Sequence, residues 1–68
     1  MPELRNSLRA AREAKGWTQA ELAAAIGVSR KTINTVENGV FIPSTVVALK
    51  LAAALNTRVE KLFELTDQ

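Results

Sequence analysis

The chain has 68 residues, nine of them Lys or Arg against seven Asp or Glu, and no cysteine or histidine. One small domain fits that length, burying only about 60% of its unfolded surface; the missing residue types remove disulfides, thiolate nucleophiles, imidazole bases and ordinary zinc sites, so neither catalytic residues nor a metal or cofactor are expected. A net charge of +2 makes the case for an anionic partner rest on where the cations lie, and the lack of a long apolar run or a signal-like start at Met1-Pro2-Glu3 predicts a cytoplasmic protein with no membrane partner.

Residues 4–15 read as a first helix, with Leu4, Leu8, Ala11 and Ala14 at inward spacing and Arg5, Arg9, Arg12 and Lys15 around the rest. Lys15 and Gly16 suit its end, since a cation favours the C-terminal dipole and glycine closes the helix. Trp17, alone on a small helical domain, is expected in the core. Thr18 and Glu21 have capping-box spacing and start a second helix at Gln19. That helix covers 19–26 with Leu22, Ala23 and Ile26 on one face, and Gly27 can take the left-handed conformation that closes it. Ser29 caps a third helix over 30–38, whose inward stripe is Ile33, Val36 and Glu37. Pro43 and Ser44 introduce a fourth over 45–55, with Val47, Ala48, Leu51, Ala52 and Leu55 inward. Asn56 breaks the pattern, and Thr57 with Glu60 repeats the capping-box spacing ahead of a short fifth helix over 58–64 that buries Val59, Leu62 and Phe63. The predicted fold class is all-α, a single five-helix domain over 1–68 with no obligatory sheet.

The second and third helices with their tight turn form a helix-turn-helix, in which the later helix crosses its partner at the angle used to enter the major groove of DNA. Its outward face carries Lys31, Asn34, Thr35 and Asn38, flanked by Arg30 and Thr32, and is basic and hydrogen-bonding without an acid. Such a stripe standing alone reads as a solvated surface; joined to this turn it reads as a DNA contact. Thr18 and Gln19 open the second helix, where free N–H groups and the positive dipole end suit a phosphate. Glu37, on the inward stripe, requires a cation, because a buried carboxylate is expensive unpaired.

The run TQAELAAAIGVSRKTINTVENG resembles the helix-turn-helix of the XRE family, the Cro- and cI-type repressors, at its Gln, Leu-Ala, Gly-Val-Ser, Thr-Ile and Glu-Asn-Gly positions. NSLRAAREAKGWTQ is similar to that family's first helix and PSTVVALKLAAALNTRVEKLF to the last two helices of its short members, so nearly the whole chain is covered. The resemblance implies a compact lambda-repressor-like DNA-binding domain. It places Arg30, Lys31 and Thr35 where family members touch base edges, the cations suiting guanine O6 and N7 and Thr35 a thymine methyl. Asn34 and Thr32 rank behind them as readers or backbone contacts, and Thr18, Gln19 and Ser29 fall to the DNA backbone. Asn38 is either a helix-end residue or a phosphate contact. Arg12 is the implied partner of Glu37 in a structural salt bridge that touches no ligand.

The chain departs from its relatives at Val40, Phe41 and Ile42, where many members carry basic or polar loop residues; this triplet would pack under the fourth helix or against a partner subunit. The expected partner is a palindromic double-stranded DNA operator bound by a homodimer, because one module buries too little surface for tight binding. Surplus apolar residues Leu62, Phe63 and Leu65 predict a dimer interface at the C-terminal end, with the tail after Leu65 extended. With all five helices engaged in one core no small-molecule ligand is expected, which leaves regulation to the protein's own concentration or to a second regulatory protein. Transcriptional repression is the predicted function. The rivals are an antitoxin or restriction-system controller using the same domain, and a helical protein-interaction module without DNA binding.

Overall fold

The computed structural model describes residues 4–66 of the chain. Five helices carry it, α1 (Leu8–Ala14), α2 (Gln19–Ile26), α3 (Arg30–Glu37), α4 (Thr45–Ala54) and α5 (Val59–Leu62), and its two ends meet in an antiparallel ribbon of β1 (Leu4–Asn6) and β2 (Phe63–Leu65). The middle helices begin where local chemistry dictates. The Thr18 side chain accepts from the Glu21 amide while the Glu21 carboxylate accepts from the Thr18 amide, the full capping box. Ser29 and Ser44 cap α3 and α4 by accepting from the amides of Thr32 and Val47. Gly27 ends α2 at φ 76°, a left-handed conformation that turns the chain at once into Val28 and the Ser29 cap. Asn56 does the same after α4 at φ 56°.

The core is drawn from every helix: Leu8 from α1, Leu22, Ala23 and Ile26 from α2, Ile33 and Val36 from α3, Leu51 and Ala52 from α4 and Leu62 from α5. Trp17, Val28, Val47, Leu55, Val59 and Phe63 pack against it half-buried, so the core role expected of Trp17 holds at its edge, with Lys15 Nζ 4.8 Å from the indole centroid on the open side. Leu22, Ile33, Leu51 and Leu62 are almost wholly enclosed, and those four fix α2 and α3 against the C-terminal half.

Both chain ends differ from the sequence expectation. The first helix starts at Leu8, not at residue 4, and Leu4–Asn6 is a strand registered as Leu4↔Leu65, Arg5↔Glu64 and Asn6↔Phe63. Asn6 enforces the break, because its Oδ1 accepts from the Leu8 amide while its Nδ2 donates to the Val36 carbonyl, so the side chain satisfies the first amide of α1 and ties the strand to α3. The fifth helix ends at Leu62, where Phe63 turns extended and the chain enters β2. Arg58 stands at its N-cap with no side-chain bond, so the expected Thr57 capping box is not formed. Ala14, expected inward, is exposed on the last turn of α1. The apolar triplet is not under α4: Val40, Phe41 and Ile42 stay exposed, held by Val40 and Phe41 amides that donate to the Thr35 carbonyl.

Candidate nucleic-acid interface

The outward face is built on α3, whose Ile33 and Val36 are sealed in the core and so fix which residues look away from it. Arg30 and Lys31 are exposed at its N-terminal end, Thr32, Asn34 and Thr35 are half-buried along its length, and Asn38 is exposed at its C-cap. The Thr35 hydroxyl donates back to its own helix, 3.0 Å from the carbonyls of Lys31 and Thr32, which leaves the methyl as the group it can offer to a base. Asn38 Nδ2 donates to the Asn34 carbonyl at 2.9 Å, and its Oδ1 accepts from Arg9 Nη2 at 3.1 Å, so the side chain serves the helix end and keeps one amide hydrogen for an outside acceptor. The Ser29 and Thr32 hydroxyls lie 3.0 Å apart at the opposite end. Thr18 Oγ only accepts in its capping box, and its hydroxyl hydrogen remains available at the start of α2.

Beneath this face lies a charged cluster centred on Glu37, whose side chain is 0% exposed. Arg12 Nε donates to its Oε2 at 2.6 Å and Arg12 Nη2 to its Oε1 at 3.3 Å, while Arg12 Nη1 donates to the Trp17 carbonyl at 2.7 Å. The inferred structural salt bridge is therefore present, two-pronged and buried, and it pins α1 and the turn after it to the end of α3. Two further donors reach Glu37 Oε1, Gln19 Nε2 at 3.0 Å and Arg9 Nε at 3.4 Å. Burial pushes the Glu37 carboxyl up, but the bonds from Arg12 and Gln19, the Arg12 charge and the Arg9 bond outweigh it and hold the carboxyl below the usual glutamate range. The Glu37 hydrogen bond likewise raises Arg12 against the opposing effect of its burial. Among the described residues no buried side-chain nitrogen or oxygen lacks a partner.

Arg9 and Gln19 hold more than the sequence assigned them. Arg9 is one of several cations scattered along the first helix in the sequence, yet it bridges Glu37 and Asn38. Gln19 faces both the buried carboxylate and Arg30, whose Nη1 donates to Gln19 Oε1 at 3.4 Å. No local signal marks either role, because the partners lie 28 and 18 positions away for Arg9–Glu37 and Gln19–Glu37.

Away from this face, Leu62 is 1% exposed and belongs to the subunit's own core, which removes it from the expected dimer contact. Phe63 is half-buried and Leu65 exposed. Phe63 borders an open apolar groove of about 760 Å³ lined by Leu4, Ile42, Pro43, Ala48, Leu49 and Val59 among others, and Leu65 pairs with Leu4 across the ribbon. Among the described residues no group of acidic side chains could hold a metal, and no helix is long and apolar enough to cross a membrane.

The Helix-turn-helix family model matches residues 8–62. An HTH-type transcriptional regulator of Archaeoglobus fulgidus is 42% identical over 65 residues, covering 96% of this chain and 93% of that one. The crystal structure of the restriction-modification controller protein C.AhdI from Aeromonas hydrophila superposes with a TM-score of 0.76 at 41% identity, over 79% of this chain and 82% of that one. The antitoxin HipB of Escherichia coli is 44% identical over 36 residues, which is 53% of this chain and 41% of HipB.

Proposed function

The chain belongs to the XRE-type helix-turn-helix family of DNA-binding transcriptional regulators, not to an enzyme family, and from that membership we propose that it binds a palindromic operator sequence-specifically as a homodimer and represses transcription there. One observation carries the reading: α3 presents two exposed cations, Arg30 and Lys31, followed by Asn34 and Thr35, on a helix anchored from behind by a buried ion pair. Arg30 and Lys31 donate to guanine edges, the Thr35 methyl meets thymine, and Asn34 reads beside them. Thr18, Gln19, Ser29, Thr32 and Asn38 supply donors to the phosphates on either side. The protein works in the cytoplasm, with no cofactor and no small-molecule effector.

The homodimer closes over the C-terminal face, through Phe63 and Leu65 and the adjoining Leu4, Ile42 and Leu49 at the groove. A monomer leaves that surface in water. A second reading, antitoxin or restriction-system controller, draws on the likeness to HipB and C.AhdI; it keeps the same DNA face and adds a second protein. Selecting bound sequences from a random duplex pool tests the proposal. A consensus with two inverted half-sites is expected, and a pool that never enriches a sequence overturns specific recognition.

A further inference from the structure

Resting on the reading of α3 as the DNA-facing helix, we infer that Arg9 on α1 and Asn38 at the end of α3 form a seat for one DNA phosphate, a contact that carries affinity and salt dependence but no sequence preference. The cluster around Glu37 brings two guanidinium groups to one carboxylate, so one positive charge is left over. The contacts decide which arginine carries it. Arg12 meets Glu37 through two donors, the shorter at 2.6 Å, and its side chain is 10% exposed. Arg9 touches it through Nε alone, at 3.4 Å, with its side chain 53% exposed. The surplus charge therefore stands at the surface, on Arg9.

Its neighbours hold it at the edge of the DNA face. Arg9 Nη2 donates to Asn38 Oδ1 at 3.1 Å, and Asn38 ends the outward row of Lys31, Asn34 and Thr35. Arg9 Nε shares the Glu37 Oε1 atom with Gln19 Nε2, which brings the guanidinium beside the start of α2 as well. Among the described residues Arg9 Nη1 has no partner, and one amide hydrogen of Asn38 is spare, so two elements offer donors to the same oxygens. Both residues line an open hollow of about 590 Å³. Glu13 lies on that lining too, 63% exposed and 3.9 Å from Arg12 Nη2, so solvent and a cation both weaken its repulsion of an anion. A guanidinium already fixed at two nitrogens has less side-chain freedom to lose when it takes a phosphate. Neutralising Glu37 alone would not require it, because Arg12 and Gln19 already donate to both carboxylate oxygens.

The test titrates the full-length wild type, Arg9→Gln, Asn38→Ala, their double variant and Lys50→Gln on the selected duplex and on a scrambled one, from about 50 to about 200 mM salt. Gln at position 9 keeps an amide donor and removes the charge. Lys50, exposed on α4, gives up the same charge away from the DNA face and so measures the effect of net charge alone. Thermal midpoints confirm that each variant is folded. Arg9→Gln is expected to lower the slope of log affinity against log salt by about one per subunit. It is expected to weaken both duplexes by the same factor, roughly five- to tenfold at about 0.1 M salt, with a smaller effect in the Asn38→Ala background because the two side chains share one phosphate. Lys50→Gln is expected to leave the slope close to that of the wild type.

The inference is overturned if Arg9→Gln leaves the slope unchanged or lowers it no more than Lys50→Gln does. It is overturned equally if the loss is confined to the selected duplex, since Arg9 would then act through the base contacts of α3, or if Arg9→Gln and Asn38→Ala add without coupling. A wild type that shows no preference between the duplexes sinks the base reading and leaves the slope comparison, made on either duplex, to decide the seat. A wild type that binds neither sinks both. Should Arg9→Gln not fold, Ala10→Glu places a carboxylate on the lining of the same hollow at an exposed position that leaves the Glu37 bonds intact. Weaker binding to both duplexes is expected, and unchanged binding in that folded variant overturns the inference.

Discussion

Glu37 is a carboxylate enclosed by protein, and four hydrogen bonds donated by Arg9, Arg12 and Gln19 are what make its burial tolerable. Removing it by Glu37→Ala leaves Arg12, itself 8% exposed, with only the exposed Glu13 carboxylate, 3.9 Å away, as a counter-charge. The expected cost is about 3–5 kcal/mol, which lowers the thermal midpoint of a domain this small by about 10 °C or more. Arg12→Ala is expected to cost about as much. Arg5–Glu64 on the ribbon is the control: both side chains are more than half exposed at 3.1 Å separation, and Glu64→Ala is expected to change the midpoint little. Equal, small effects at all three positions in a thermal melt would remove Glu37 from the architecture.

The same carboxylate sets a pH dependence. Its folded pKa lies below the ordinary value near 4.3, so the folded state binds the proton less readily than the unfolded chain. The stabilisation is complete above about pH 5 and is lost as pH falls through the ordinary range and on through the depressed folded value. Melts from about pH 6 down to about pH 3 are expected to show a falling midpoint, and Glu37→Gln to flatten part of the decline; an identical slope in both proteins would contradict this assignment. The need for a cation was legible in sequence because Glu37 lies on the inward stripe of α3 and a buried acid must be paired; that Arg12 supplies it followed from the family resemblance. The contributions of Arg9 and Gln19 were not legible, since their bonds to Glu37 depend on how α1 and α2 pack.

At the scale of elements, the boundaries read correctly are those written in neighbouring residues. Thr18 with Glu21, Ser29, Ser44 and Gly27 act within four positions of themselves, and each does what its type suggests. The ribbon at the chain ends was invisible for the opposite reason. Leu4 fits the helical spacing of Leu8 and Ala11, and only pairing with Leu65, 61 positions away, makes it a strand. The turn before α3 offers a direct test. Gly27 is left-handed at φ 76° with open space where a Cβ would stand, so Gly27→Ala meets backbone strain alone. A loss of about 1 kcal/mol is expected by urea unfolding, with Gly27→Asn milder. A loss several times larger would mean that the side chain collides with something, and no loss would mean that the turn relaxes.

At the scale of the whole molecule, one chain carries one helix-turn-helix and an apolar face it does not cover. Leu65 is 74% exposed on the ribbon, and Ile42, 70% exposed, lines the groove that runs along α4. Sedimentation equilibrium at tens of micromolar, roughly the range where a dimer of modest affinity is already formed, is expected to give twice the chain mass. Leu65→Glu should return it to the monomer mass with the thermal midpoint of the isolated subunit retained. A wild type that stays monomeric at that concentration would contradict the homodimer. The proposed dimer would set its two α3 helices about 34 Å apart along one face of the duplex, so inserting about five base pairs between half-sites is expected to abolish binding and about ten to restore part of it.

The proposed function rests on α3 reading bases, and a fluorescence-anisotropy titration addresses that most directly. Wild type, Arg30→Ala and Lys31→Ala are titrated on the selected duplex and on a scrambled one at two salt concentrations, because phosphate contacts give affinity that salt removes while base contacts give preference. Wild type is expected to favour the selected duplex by about a thousandfold or more. Each variant is expected to lose about 1–3 kcal/mol on that duplex and much less on the scrambled one, with preference relaxed at one position per half-site. If Arg30→Ala and Lys31→Ala instead weaken both duplexes by the same factor, α3 touches only the DNA backbone, and sequence-specific recognition by this helix is contradicted.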